Sequence, residues 1–81
     1  MRTQDQLGKI ELNPTILGGK PIIAGTRIPV HLILNLLAHG YDFDRIIEAY
    51  PILEEKDIKG AVEYAEKRLK REEIKPLPVK S

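Results

Sequence analysis

The chain has no cysteine and no tryptophan, one methionine, one phenylalanine, and a single serine that is its final residue. Without cysteine there is neither a disulfide framework nor a thiolate metal site. The two histidines, His31 and His39, share one face of a predicted helix but stand two turns apart. At 1.5 Å per residue that is about 12 Å, too far to share one ion, so no metal and no other cofactor is expected. With no interior serine, no thiol, and carboxylates on helix starts and solvent faces, no nucleophile–base or acid–base pair can be assembled. The chain does not read as an enzyme. Long apolar runs are missing too: Leu32 to Ala38 is too short and too interior for a signal peptide, and nothing approaches the ~20 residues of a membrane span. A cytoplasmic protein with no membrane partner is expected.

What is present fits a single domain, residues 1–81. A chain of this size buries only about 60% of its unfolded surface, and without staples its missing stability should come from a second copy of itself. The net charge of +1 is unevenly spread. Residues 1–29 hold four basic and two acidic side chains, residues 30–64 three and seven, and residues 65–81 six and three. A nucleic-acid binder usually shows a basic stripe, which here could come only from the two ends.

The stretch from Gly18 to Val30 organises the chain. Two short apolar runs, Pro21–Ile23 and Thr26–Ile28, flank Ala24-Gly25 and predict a tight β-hairpin. Gly25 can take the positive φ that a type II turn demands, whereas Ala24 could do so only with strain. Residues 1–8 lack periodicity and are expected to fray. Ile10 and Leu12 alternate with charged neighbours, as a short half-buried strand does, which makes residues 9–28 a strand-and-hairpin region.

Residues 29–71 should form a three-helix core. The first helix, about Pro29 to His39, is apolar around nearly its whole circumference and stops at Gly40. Leu32, Ile33 and Leu36 are its candidates for a dimer interface. Asp42 caps a second helix, Phe43 to about Ala49. The third begins at Leu53 or Glu54, carries Glu54, Glu55 and Asp57 near its positive end, and reaches about Arg71. Ile58, Ala61, Val62, Ala65 and Leu69 make its buried stripe. Gly60 within it costs roughly 1 kcal/mol relative to alanine; plain tolerance is the preferred explanation, ahead of close approach by another backbone. The prolines of residues 72–81 indicate an extended tail. The fold class is mainly α with a small N-terminal β-hairpin: a three-helix, helix-turn-helix-like (winged-helix-like) domain.

Gly18-Gly19-Lys20 lacks the serine or threonine and the following helix of a phosphate loop, so it reads as a turn. The second and third helices resemble the core of helix-turn-helix domains, in which the last helix enters the major groove. Pro51 stands where glycine is common, and the stretch before Ile58 is one residue longer than usual. If DNA is bound, Lys56 and Lys59 on the exposed face of the third helix are the base-edge or phosphate candidates. Lys20 and Arg27, at the hairpin ends, would then supply backbone contacts that offset Glu55 and Glu63.

Gly18-Gly19-Lys20-Pro21-Ile22-Ile23, Gly25-Thr26-Arg27-Ile28-Pro29-Val30, Gly40 and Tyr50-Pro51 together resemble the domain-of-unknown-function 433 family over Ile10 to Ala65. The resemblance implies a small prokaryotic protein with a helix-turn-helix-like fold, of the kind that includes VapB-type antitoxins, and a PIN-like ribonuclease toxin as partner. Asp42 and Glu54 depart from the serine or threonine caps common in the family, which adds acidity where DNA would lie. Two functions are therefore expected. One is a homodimeric antitoxin and transcriptional regulator that binds operator DNA and docks on its toxin through Ile74, Leu77 and Val79 of the tail. The other is a dimeric protein-interaction module that binds a partner protein without binding DNA, which the acidic middle segment favours.

Overall fold

The computed structural model describes residues 2–72, with side chains through Lys70. The turn Ile23-Ala24-Gly25-Thr26 closes with the Thr26 N–H on the Ile23 carbonyl at 3.0 Å, and Gly25, at its third position, has φ +80°. This is the conformation the sequence demanded of glycine. The strands around it differ from expectation. β1 (Ile10–Leu12) pairs antiparallel with β2 (Pro21–Ile23), setting Ile10 opposite Ile23, Glu11 opposite Ile22 and Leu12 opposite Pro21. The run Thr26–Ile28 is not a strand; beside β2 there is one isolated bridge, between Ile22 and Pro29.

The hydroxyl of Thr26 explains the difference. It donates to the Ile23 carbonyl at 2.7 Å and accepts from the Ile28 N–H at 3.0 Å, so it captures the two groups that would have exchanged a ladder bond. The complementary bond, Ile23 N–H to Ile28 carbonyl, survives at 2.9 Å. Gly18 and Gly19 form a turn that delivers the chain into β2, as expected.

Three helices follow: α1 (Val30–Ala38), α2 (Phe43–Ala49) and α3 (Glu55–Glu72). Pro29 precedes α1 as its N-cap, because its backbone is extended, with ψ 149°, at the bridge to Ile22. The end of α1 is tied by Tyr41 N–H on the Leu36 carbonyl and Gly40 N–H on the Leu37 carbonyl, both 3.0 Å, the bond pattern of a Schellman stop. Asp42 caps α2 as its spacing requires, accepting from Arg45 N–H at 2.9 Å.

The core is Ile23 of β2, Val30 and Ile33 of α1, Ile46 of α2, Leu53, and Ile58 and Ala61 of α3. Ile33 was expected at a dimer interface but is completely covered within the chain, because α1 packs on both α3 and β2. Leu36 is half-buried against the same core, and Leu32 is half-buried.

The N-terminal arm is not frayed over residues 2–8. Gln4–Gln6 form a short 3-10 turn, Thr3 N–H donates to Gln6 Oε1 at 2.9 Å, and Arg2 is anchored in the interior. Gly8 then crosses α3 at Gly60. A Cβ on Gly60 would collide with the Gly8 carbonyl oxygen and lie 3.0 Å from its carbonyl carbon. Close backbone approach, not tolerance, is why glycine stands there.

This reverses the sign of a common substitution. In an open helix Gly→Ala stabilises by about 1 kcal/mol. Gly60→Ala should instead destabilise by about 1–3 kcal/mol, because the added methyl has only backbone to displace. Urea denaturation followed by circular dichroism measures it, and a more stable variant would refute the crossing.

Candidate interaction site

Asp57 occupies the third position of α3 and is fully buried. Its carboxylate is surrounded by donors. Oδ1 accepts from Arg2 Nη2 at 2.8 Å and Gly8 N–H at 2.9 Å, and Oδ2 accepts from Arg2 Nη1 at 2.8 Å and Glu54 N–H at 2.7 Å. Arg2, whose side chain is 7% exposed, donates further to the carbonyls of Ala24 at 2.9 Å, Ile52 at 3.1 Å and Gln6 at 3.3 Å. A guanidinium has five N–H groups, and these bonds use all of them. Burial pushes the Asp57 pKa up, but the bonds from Arg2, Gly8 and Glu54 outweigh it and hold the carboxyl below its ordinary value. Arg2 is raised, chiefly by its hydrogen bond to Asp57. With donors and acceptors spent inside the molecule, the pair is a fastening and not a ligand site.

Sequence reasoning placed Asp57 at the helix start for its effect on the dipole and missed its burial. The signal was there: Asp57 is four residues from both Leu53 and Ala61, hence on the buried stripe. Nothing in the polar N-terminal segment singled out Arg2.

The four basic residues read as DNA contacts, Lys20, Arg27, Lys56 and Lys59, are all exposed. The bridge between Ile22 and Pro29 puts Lys20 and Arg27 towards opposite ends of that antiparallel pairing. The Lys56 carbonyl and Cβ lie against Gly8, and Lys59 adjoins the crossing at Gly60. The first turns of α3 therefore carry the N-terminal arm on one side, with Glu54 and Glu55 exposed at the helix start. The connection from α2 to α3, residues 50–54, is longer than the 3–4 residues usual in a helix-turn-helix. Ile74, Leu77 and Val79 lie outside the described residues.

Along α3 the predicted buried stripe is only half covered. Ile58 and Ala61 are fully enclosed, while Val62 is 42% and Leu69 68% exposed. Beside the outer half of the stripe, α1, α3 and the start of β2 enclose an open groove of about 380 Å3 with Pro21, Val30, Leu34, Tyr64, Ala65 and Leu69 among its walls. Among the described residues no histidine–carboxylate group could hold a metal ion, and no helix is long and apolar enough to cross a membrane.

Comparison with known proteins agrees with the sequence pattern. The family model described as "Protein of unknown function (DUF433)" matches residues 10–65. "Uncharacterized protein y4eO" of Sinorhizobium fredii (strain NBRC 101917 / NGR234) is 43% identical over 54 residues, which are 67% of this chain and 24% of that protein. The chain thus spans about a quarter of the length of that relative. The crystal structure of a DUF433 member protein from Anabaena variabilis ATCC 29413 has 30% sequence identity and a TM-score of 0.68, covering 78% of this chain and 65% of that one.

The fastening makes two measurable demands. Arg2→Ala strands a buried carboxylate and should cost about 3–5 kcal/mol, a large part of the stability of so small a domain. Since the folded pKa of Asp57 is depressed, its contribution is complete above the unfolded carboxyl value near 3.9 and is lost as pH falls below it through the folded value. Urea midpoints taken from pH 5 downwards should fall, and Asp57→Asn should begin lower but fall less steeply. Parallel curves for the two proteins would contradict the assignment.

Proposed function

We propose, from the premise that the chain belongs to the DUF433 family, that it is a protein-binding regulator that docks on and neutralises a partner protein. The partner class implied by the antitoxin resemblance is a PIN-like ribonuclease. One observation carries this reading: α3 continues its apolar stripe past the core, leaving Leu69 68% exposed beside an apolar groove. Exposed apolar surface bordered by charge is a feature of protein-binding sites.

Charge supports a protein partner ahead of DNA. Glu54 and Glu55 are exposed at the end of α3 that would enter a major groove, and they would repel phosphates. Binding of operator DNA is the second reading, favoured by the exposed Lys56 and Lys59 on α3. Homodimerisation belongs to both readings, and of the three α1 residues expected at a dimer interface Leu32 and Leu36, each half-buried, keep surface to offer a twin.

The test pairs two measurements. The chain should co-elute with a PIN-like ribonuclease from the same genome and suppress its RNA cleavage, with Leu69→Ser weakening both effects. DNA from the upstream region should give no gel shift at 50 mM salt. A shift that fades steeply by 200 mM salt and is lost in Lys56→Glu would establish the second reading. Unchanged ribonuclease activity would sink the first.

A further inference from the structure

The groove between α1 and α3 lies beside the point where the described chain ends. Leu69, in its wall, is three residues from Glu72, the last residue of α3, and residues 73–81 continue from there. These nine residues are therefore tethered at the mouth of an apolar cleft. From Glu72 back to Ala65 is seven residues of helix, a rise of about 10 Å. Nine residues of proline-type extended chain span about 28 Å. A segment that reverses beyond Glu72 is long enough to pass Leu69 and Ala65 and to lie between them and Val30 and Leu34 of α1.

The sequence of that segment suits such a placement. Ile74, Leu77 and Val79 supply three apolar side chains for walls that include Pro21, Val30, Leu34, Ala65 and Leu69. Extended chain laid in an apolar cleft strands its backbone N–H groups, at a cost for each one left without a partner. Pro76 and Pro78 have no N–H to strand. Their fixed φ also means that the segment has less conformational freedom to lose on docking. Tethering helps further, because a short linker holds the segment at an effective concentration on the order of millimolar.

We propose that residues 74–79 fold back into the groove of their own chain and cover the apolar end of α3. The same three side chains are the ones expected to dock on a toxin, and they cannot do both at once. The consequence for a partner rests on the protein-binding reading above: the tail is an internal competitor, which the partner displaces from the groove.

The chain has no cysteine, so Ser81→Cys gives the full-length protein a single attachment point for a nitroxide spin label. NMR of the isotope-labelled chain then reads which backbone amides the label broadens. Docking should broaden Val30, His31 and Leu34 on α1. Leu77→Ser in the same labelled chain should lower the ratio of docked to free tail about tenfold, the worth of one buried leucine, and remove most of that broadening. Absence of broadening on α1, or broadening that Leu77→Ser leaves unchanged, would overturn the placement. Spin-labelled chain without isotope, mixed with isotope-labelled chain without the cysteine, should broaden nothing. Broadening of α1 in that mixture would assign the groove to the tail of a second copy and overturn the proposal.

Binding to the ribonuclease tests the competitor role. Leu77→Ser should tighten it several-fold, because the groove is then open in more of the molecules. Weaker binding would assign the tail to the partner and overturn that role. If the ribonuclease binds neither protein, the protein-binding reading and the competitor role fall together, while the spin-label measurement decides the place of the tail separately.

Discussion

The ion pair between Arg2 and Asp57 is the constraint on which the rest of the structure depends. One guanidinium reaches the turn after β2 through Ala24, the connection before α3 through Ile52, its own arm through Gln6, and the start of α3 through Asp57. Those points belong to three stretches far apart in sequence, around residues 2–6, 24 and 52–57, which no common strand or helix joins. Burying two charges costs several kcal/mol per ion, and the cost is offset only where geometry and remaining hydrogen bonds are complete. Here they are: among the described residues no buried side-chain polar atom lacks a partner. We read the pair less as a net source of stability than as a device that admits one arrangement of arm, turn and helix.

The glycine crossing is the backbone side of the same device. Gly8 N–H donates to Asp57 Oδ1, which draws the arm onto α3, and the arm then passes Gly60 at a distance that no side chain allows. Lose the carboxylate and the arm keeps only the bonds of Arg2 to the Ala24 and Ile52 carbonyls. Add a methyl at residue 60 and the arm has no room. The acidic side chain and the missing one are thus coupled across a single turn of helix.

Elements legible in the sequence were those whose causes are local. Gly25 at the turn, Asp42 capping α2 and Gly40 closing α1 each follow from one residue's stereochemistry acting within four positions. The expected strand at Thr26–Ile28 failed for a reason equally local but subtler, since β-branched residues favour strands while this particular hydroxyl takes the ladder's hydrogen bonds. Other features depended on distant segments. The apolar circumference of α1 reads the same whether its faces meet a twin, β2 or α3, and Ile33 was assigned to the wrong one. Gly60 acquires its role from Gly8 and Arg2 acquires its role from Asp57, each a residue far off in the chain. Of the candidate site, Ala65 and Leu69 were visible as a stripe, but only the tertiary structure shows that α1 and β2 leave that part of it open.

The overhang of α3 has an energetic consequence. At 18 residues the helix is about 27 Å long, and its outer turns extend past the last enclosed residue, Ala61. Tyr64 still packs against the core, and past it intrinsic propensity and spacings such as Glu66 to Lys70 add only tenths of a kcal/mol each to helicity. Short helical segments without tertiary support lie near the helix–coil midpoint in water. A molecule that settles on this part of α3 therefore also stiffens it, and some of the contact energy is absorbed in suppressing coil conformations. Association of that kind is expected to show a larger loss of entropy than the contact area alone would give.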